Sequence, residues 1–190
     1  CFNARSKVRT AQLDRLAAGG LLCRDAHASS AVCTPSRYSL LTGRYAWRSR
    51  LKEGVTQGYS PPLIEPGRLT VASFLRQQGY ATACIGKWHL GWDWARAGDG
   101  EDAVDFARPI RNGPTACGFD TFFGISASLD MPPYVWVEND RATALPDRRT
   151  PGRFGKGYWR EGPIAPDFDH AQVLPVLTRR ALAFLEARAG

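Results

Sequence analysis

Apolar residues recur at helical spacing in several parts of the chain. Residues 10–18 predict a first helix: Leu13, Leu16 and Ala17 share one face, Thr10 can cap the start and Gly19-Gly20 stop it. Residues 21–26 read as a short strand. Residues 35–44 predict a second helix, with Pro35 in the first turn, where its missing N–H costs nothing, Leu40 and Leu41 turned to the core, and Gly43 at the end. Residues 70–78 predict a third, capped by Thr70, with Val71, Phe74 and Leu75 on one side and Gly79 as a C-cap. Residues 80–85 then read as a buried strand broken by Gly86. Helix, tight turn and strand in succession are an α/β signature. Residues 168–188 close the chain as an amphipathic helix, its stripe made by Val173, Leu177, Ala181, Phe184 and Leu185.

Between these elements the pattern lapses. Residues 45–68, with Pro61, Pro62 and Pro66, read as a structured loop. Residues 94–118 are polar and Gly-rich, and residues 146–166 are loop-like and basic. One good strand and a few short ones are fewer than an α/β domain needs, so part of the sheet is expected outside the chain.

Composition narrows the classes. With 190 residues, 44% hydrophobic and six Trp, the chain is globular and not a disordered tail. The net charge of +7 favours anionic ligands without choosing among them. No apolar run approaches the roughly 20 residues that span a bilayer, so no membrane partner is expected. Position 1 is Cys and the only Met is Met131, which reads as a processed or incomplete start. Cys1, Cys23, Cys33, Cys84 and Cys117 contain no Cys-x-x-Cys pair, and free, mostly buried thiols are the expectation.

Cys33 stands apart. It precedes a helix start, where backbone N–H groups and the helix dipole favour negative charge, and Arg37 follows one turn on. Spacing alone permits a nucleophile or anion site there, and equally a structural Cys beside a surface Arg. The full segment is Cys33-Thr34-Pro35-Ser36-Arg37, followed by Leu40-Leu41-Thr42-Gly43-Arg44. It resembles the sulfatase signature residue for residue. Gly79 through His89 resembles that family's second signature, and Gly118-Phe119-Asp120-Thr121-Phe122-Phe123-Gly124 is also similar to sulfatases.

The resemblance implies an α/β, alkaline-phosphatase-like fold, a mixed sheet flanked by helices and incomplete at both ends. Residues 1–190 would be the N-terminal part of a catalytic domain, lacking its first strand and C-terminal part. It implies a sulfuric ester hydrolase acting on an aryl sulfate or sulfated carbohydrate. Cys33 would be converted to formylglycine by a formylglycine-generating enzyme and would also be a metal ligand. One hydroxyl of the aldehyde hydrate attacks sulfur, and the other loses its proton as sulfate is expelled. A divalent cation, Ca2+ in the first place and Mg2+ in the second, would polarise the sulfate. Arg37 would hold the hydrate. Lys87 would contact sulfate and leaving oxygens. His89 would contact sulfate and help proton transfer, and alternation puts Lys87 and His89 on one side of the chain. Ser128 would lie near the substrate, His27 would pack beside the site, and His170, after Asp169 at a helix start, reads as part of a cap. The family's Asp pair and its later Asp-Asn or Asp-His segment are not in this sequence, so the isolated chain is expected to be inactive. Periplasmic or secreted localisation is expected by the same resemblance.

Other classes fit less well. A phosphonate or phosphodiester hydrolase using formylglycine shares the motif, and a truncated inactive remnant would retain it. A cysteine phosphatase needs Arg six residues after Cys, where Ser39 stands. Cys23, His27, Cys84 and His89 match no common zinc finger, and no nucleic-acid partner is expected.

Overall fold

The structure is a computed structural model that describes residues 6–100 and 103–189. Cys1 lies outside them. Among the described residues there are four α-helices: α1 (Ala11–Ala18), α2 (Cys33–Thr42), α3 (Val71–Gln77) and α4 (Val173–Glu186). Six strands form two sheets: β1 (Ala83–Lys87), β2 (Thr121–Ile125), β3 (Val137–Glu138) and β4 (Arg141–Ala142) in the order β1-β2-β3-β4, and β5 (Arg148–Thr150) with β6 (Gly162–Ile164). β1 and β2 are parallel, with Lys87 opposite Ile125; the remaining pairs are antiparallel. The mixed α/β sheet expected from the resemblance is therefore present.

Period-two alternation splits β2 and its neighbours between two cores. Phe122, Val135 and Val137 face one, with Tyr38 of α2, Trp88, Trp92 and Trp94. Phe123, Ile125, Tyr134 and Trp136 face the other, with Phe168 and Val173. A sheet buried on both faces needs cover on both sides. On the second face α4 supplies it: Arg180 lies 4.1 Å over the Phe123 ring and pairs with Glu138 at 3.0 Å. Where β1 and β2 meet, Gly124 faces Gly86, and a Cβ on Gly124 would fall 1.7 Å from the Gly86 carbonyl oxygen.

Several expectations change. Residues 21–26 form no strand. No residue of α1 is buried, and Leu13 and Leu16 are exposed. Leu40 is exposed because α2 starts at Cys33 and turns Thr34 and Tyr38 inward instead; only Leu41 of the Leu pair packs on the core. In α3 the buried residue is Ala72, while Val71 and Phe74 are exposed. Thr70 does cap α3, in a reciprocal box with Ser73. Leu185 of α4 is exposed. The irregular stretch 94–118 is not a polar excursion, since Trp94 and Ile110 lie in the first core. The basic stretch 146–166 is a hairpin of β5 and β6.

Candidate active site

Cys33 is the first residue of α2, preceded by Val32 in extended conformation, and it is partly exposed. Pro35 falls within the first turn, where no intrahelical N–H bond is lost. Ser36 Oγ lies 2.7 Å from the Ser30 carbonyl and 2.8 Å from that of Val32, which ties the helix start to the strand-like lead-in.

Arg37, one turn later, donates from its guanidinium to the carbonyl of Lys87. That bond docks α2 on the C-terminal end of β1, the end of a parallel strand where ligands gather in open α/β sheets. Lys87 Nζ in turn donates to Ser128 Oγ at 3.3 Å. Ser128 follows β2, whose ladder with β1 extends past the strand ends through Trp88 N to Ile125 O (3.0 Å) and His89 N to Ser126 O (2.9 Å). The structure thus brings Arg37, Lys87, His89 and Ser128 to one place, beside the helix start that carries Cys33.

His89 is fully buried and left-handed, with φ of 57°. A left-handed non-glycine residue carries backbone strain, so its surroundings must hold it. Simple alternation from Lys87 therefore does not reach His89; the turn and its hydrogen bonds place it. Thr34 Oγ1 and Thr56 Oγ1 both donate to the His89 carbonyl at 2.9 Å, and Thr56 N donates to Thr34 Oγ1 at 3.2 Å. The ring Nε2 lies 2.7 Å from the Thr56 carbonyl oxygen. A carbonyl only accepts, so Nε2 carries the proton and Nδ1 keeps its lone pair. That Nδ1 is buried without a partner among the described residues.

Electrostatics agree with the geometry. Burial first, then the positive charges of Lys87 and Arg37, push the His89 pKa down to about 4. The ring is neutral near pH 7 and can take a proton through Nδ1. Asp130 acts in the opposite direction on the ring. Asp130 is paired with Arg160 at 2.8 Å, and Tyr134 Oη lies 3.1 Å from its carbonyl. Burial raises Cys84 and Cys117 to about 12, so both are protonated thiols at neutral pH.

Other expected roles fall elsewhere. His27 does not pack beside the site: it is exposed and pairs with Asp25 at 2.6 Å. Its short partner is two residues away, so nothing draws it inward. The capping group before α4 is Asp169, which accepts from Ala171 N; the His170 ring stacks on Trp159 instead. Cys23 is exposed, against the expectation of mostly buried thiols. Among the described residues no three His, Cys, Asp or Glu side chains gather as a metal site. A hard cation wants about six oxygen ligands, and Cys33 and its neighbours do not make that set.

Sequence reasoning missed Thr34 and Thr56 as the clamp on His89. Thr34 lies inside the Cys33 segment and was open to suspicion; Thr56 sits in an aperiodic loop with no local signal. Asp130, two residues after Ser128, carries no such signal in the sequence.

Comparison with known proteins follows the same residues. The family model for Sulfatase matches residues 2–162. An N-acetylgalactosamine-6-O-sulfatase of Bacteroides thetaiotaomicron is 40% identical over 145 residues, covering 76% of this chain and 27% of that protein. Human steryl-sulfatase is 37% identical over 131 residues, covering 66% of this chain and 21% of that protein. The chain thus spans about a quarter of the length of these curated relatives. A solved structure from work on glycosaminoglycan metabolism by Bacteroides thetaiotaomicron (BT33336S-sulf) superposes with a TM-score of 0.76 at 28% identity, over 96% of this chain and 44% of that one. The structure of Ps i-CgsB shares the fold, with a TM-score of 0.63 at 19% identity over 98% of this chain and 38% of that one.

Proposed function

This chain belongs to the sulfatase family, and on that premise we propose that its parent protein hydrolyses sulfate esters with a formylglycine made from Cys33. The observation that carries the reading is the docking of α2 on the end of β1, which sets Cys33 beside Arg37, Lys87, His89 and Ser128. The hydrate of formylglycine supplies a nucleophilic hydroxyl for sulfur and a second hydroxyl whose deprotonation releases sulfate. The helix start and Arg37 favour the negative charge that gathers there. Lys87, held against Ser128, presents its ammonium to the sulfate oxygens and the leaving oxygen. His89, neutral and clamped through Nε2, offers Nδ1 as the acceptor for a proton.

Residues 1–190 would then be the N-terminal portion of the catalytic domain. A divalent cation, Ca2+ or Mg2+, belongs to this proposal, with Cys33 as one ligand and the carboxylates supplied from outside the described residues. The converting enzyme is the partner during maturation, and export to the periplasm or beyond is expected. The substrate is an aryl sulfate or a sulfated carbohydrate. The name of the 40% identical N-acetylgalactosamine-6-O-sulfatase supports a sulfated amino sugar.

The test uses the full-length protein co-expressed with a converting enzyme. Peptide mass across Cys33 should show the loss expected for thiol to aldehyde, and aryl sulfate should turn over faster than aryl phosphonate. An unmodified thiol in an active enzyme would overturn the nucleophile; faster phosphonate cleavage would overturn the substrate class. The isolated 190-residue chain should be inactive in the same assay.

A further inference from the structure

A cleft of about 650 Å3 is lined by Leu129, Arg148, Arg153, Tyr158, Trp159 and His170 among others. Leu129 directly follows Ser128, the residue that accepts from Lys87, so the lining of the cleft begins one residue along the chain from the site. Part of its lining is the tip of the β5–β6 hairpin, where Arg153 and Trp159 exchange backbone hydrogen bonds of 2.8 and 3.1 Å. The Trp159 indole is fixed from two directions: Nε1 donates to the Pro151 carbonyl at 3.1 Å, and the His170 ring stacks on it at 4.2 Å with an interplanar angle of 17°. Burial keeps the His170 pKa below its usual value, so this platform is uncharged near neutrality.

Charge in the cleft comes from arginine. The Arg153 guanidinium lies 5.1 Å over the Trp159 ring, and no carboxylate pairs with it among the described residues. Among the described residues Arg148 pairs only with its own neighbour Asp147, at 2.9 Å. An aromatic platform with a free, stacked guanidinium suits a ligand that is apolar on a face and anionic at an edge. A pyranose carrying a carboxylate or sulfate has both properties.

We infer that this cleft is a binding subsite for an anionic sugar that flanks the sulfated residue, so the substrate is a polyanionic oligosaccharide and not an isolated aryl sulfate. The inference rests on the sulfatase reading of the neighbouring site. Arg153 is its recognition group, and Trp159 with His170 orients that guanidinium.

The experiment compares full-length wild-type, Arg153→Gln and Arg153→Lys enzymes on an aryl sulfate, on 6-sulfated N-acetylgalactosamine, and on a tetrasaccharide alternating that sugar with uronic acid. Arg153→Gln should lower kcat/KM on the tetrasaccharide about tenfold or more, mainly through KM, because one charge-assisted contact is lost. The two small substrates should change less than about twofold. Arg153→Lys should recover part of the loss, since charge returns without the planar fork. A sulfotyrosine peptide of equal charge should be insensitive to the change. Equal losses on all substrates, no loss on the tetrasaccharide, or a loss confined to the peptide would overturn the subsite. If Cys33→Ala leaves aryl sulfate turnover intact, the underlying sulfatase reading fails instead.

Discussion

Around His89 the backbone carbonyl, the ring Nε2 and two threonine hydroxyls are buried and answer one another, with Nδ1 left open, whereas along the β5–β6 hairpin charged and aromatic side chains stand open to solvent. At His89 each hydrogen bond restrains the next. Two threonine hydroxyls hold one carbonyl, and that threonine's own carbonyl sets the tautomer of the ring. At the hairpin, ion pairs such as Arg148–Asp147 and Arg149–Glu161 are exposed, and pairs of that kind contribute only about 0–1 kcal/mol. The contrast separates two tasks. Chemistry needs one geometry kept from one turnover to the next. Recognition of a long, flexible substrate needs accessible groups that tolerate adjustment.

The sharpest test of the clamped side is Cys33→Ala in the full-length protein. Turnover should fall at least about a thousandfold, the scale seen when a nucleophile is removed, while thermal stability should hardly change because Cys33 is only partly buried. A variant that unfolds would instead assign Cys33 to the fold. Alkylation sharpens the same point: at pH 8, Cys23 should label readily, whereas Cys84 and Cys117, held near 12 by burial, should resist.

Thr56→Val breaks the clamp without touching the reacting groups. It deletes the hydroxyl that donates to the His89 carbonyl and leaves a left-handed residue under-restrained. kcat should drop about 10- to 100-fold, since small misplacements cost that much, and stability should fall by about 1–3 kcal/mol. Thr56→Ser should restore most of both. At the hairpin, exposed Lys156→Gln should shift stability by less than about 0.5 kcal/mol. Comparable losses at the two sites would erase the distinction between them.

The same contrast explains what could be read from the chain. Cys33, Arg37, Lys87 and His89 sit in two contiguous segments that carry the family resemblance, and the structure brings those segments together. Thr56 is 22 residues from its partner Thr34, and nothing local marks it. Strand β2 was not read as a strand: after the exposed Thr121, Phe122-Phe123-Gly124-Ile125 is a short apolar run, because both its faces are buried, so alternation is invisible. For α2 and α3 the apolar positions were read as inward, yet Leu40, Val71 and Phe74 are exposed, and the buried positions are Thr34, Tyr38 and Ala72. Tertiary contacts chose the face, and hydropathy could not.

Stability as a function of pH ranks the two regions. His89 and His170 are both pushed below the usual 6.5 by burial, His89 to about 4. A buried neutral His binds fewer protons folded than unfolded at pH values between its two pKa values. The stabilisation is therefore fully present above pH 6.5 and is lost as pH falls through the window down to about 4 for His89. The slope from one such group is at most about 1.4 kcal/mol per pH unit. Denaturant midpoints of the full-length protein at pH 7 and pH 5 should show a decline in the wild type. His170→Gln should keep most of that decline, and His89→Gln should remove most of it after allowance for its lower starting stability. If His170→Gln flattens the profile more, the packing of His170 on Trp159 is the tighter of the two, and the clamp around His89 is looser in solution than its hydrogen bonds imply.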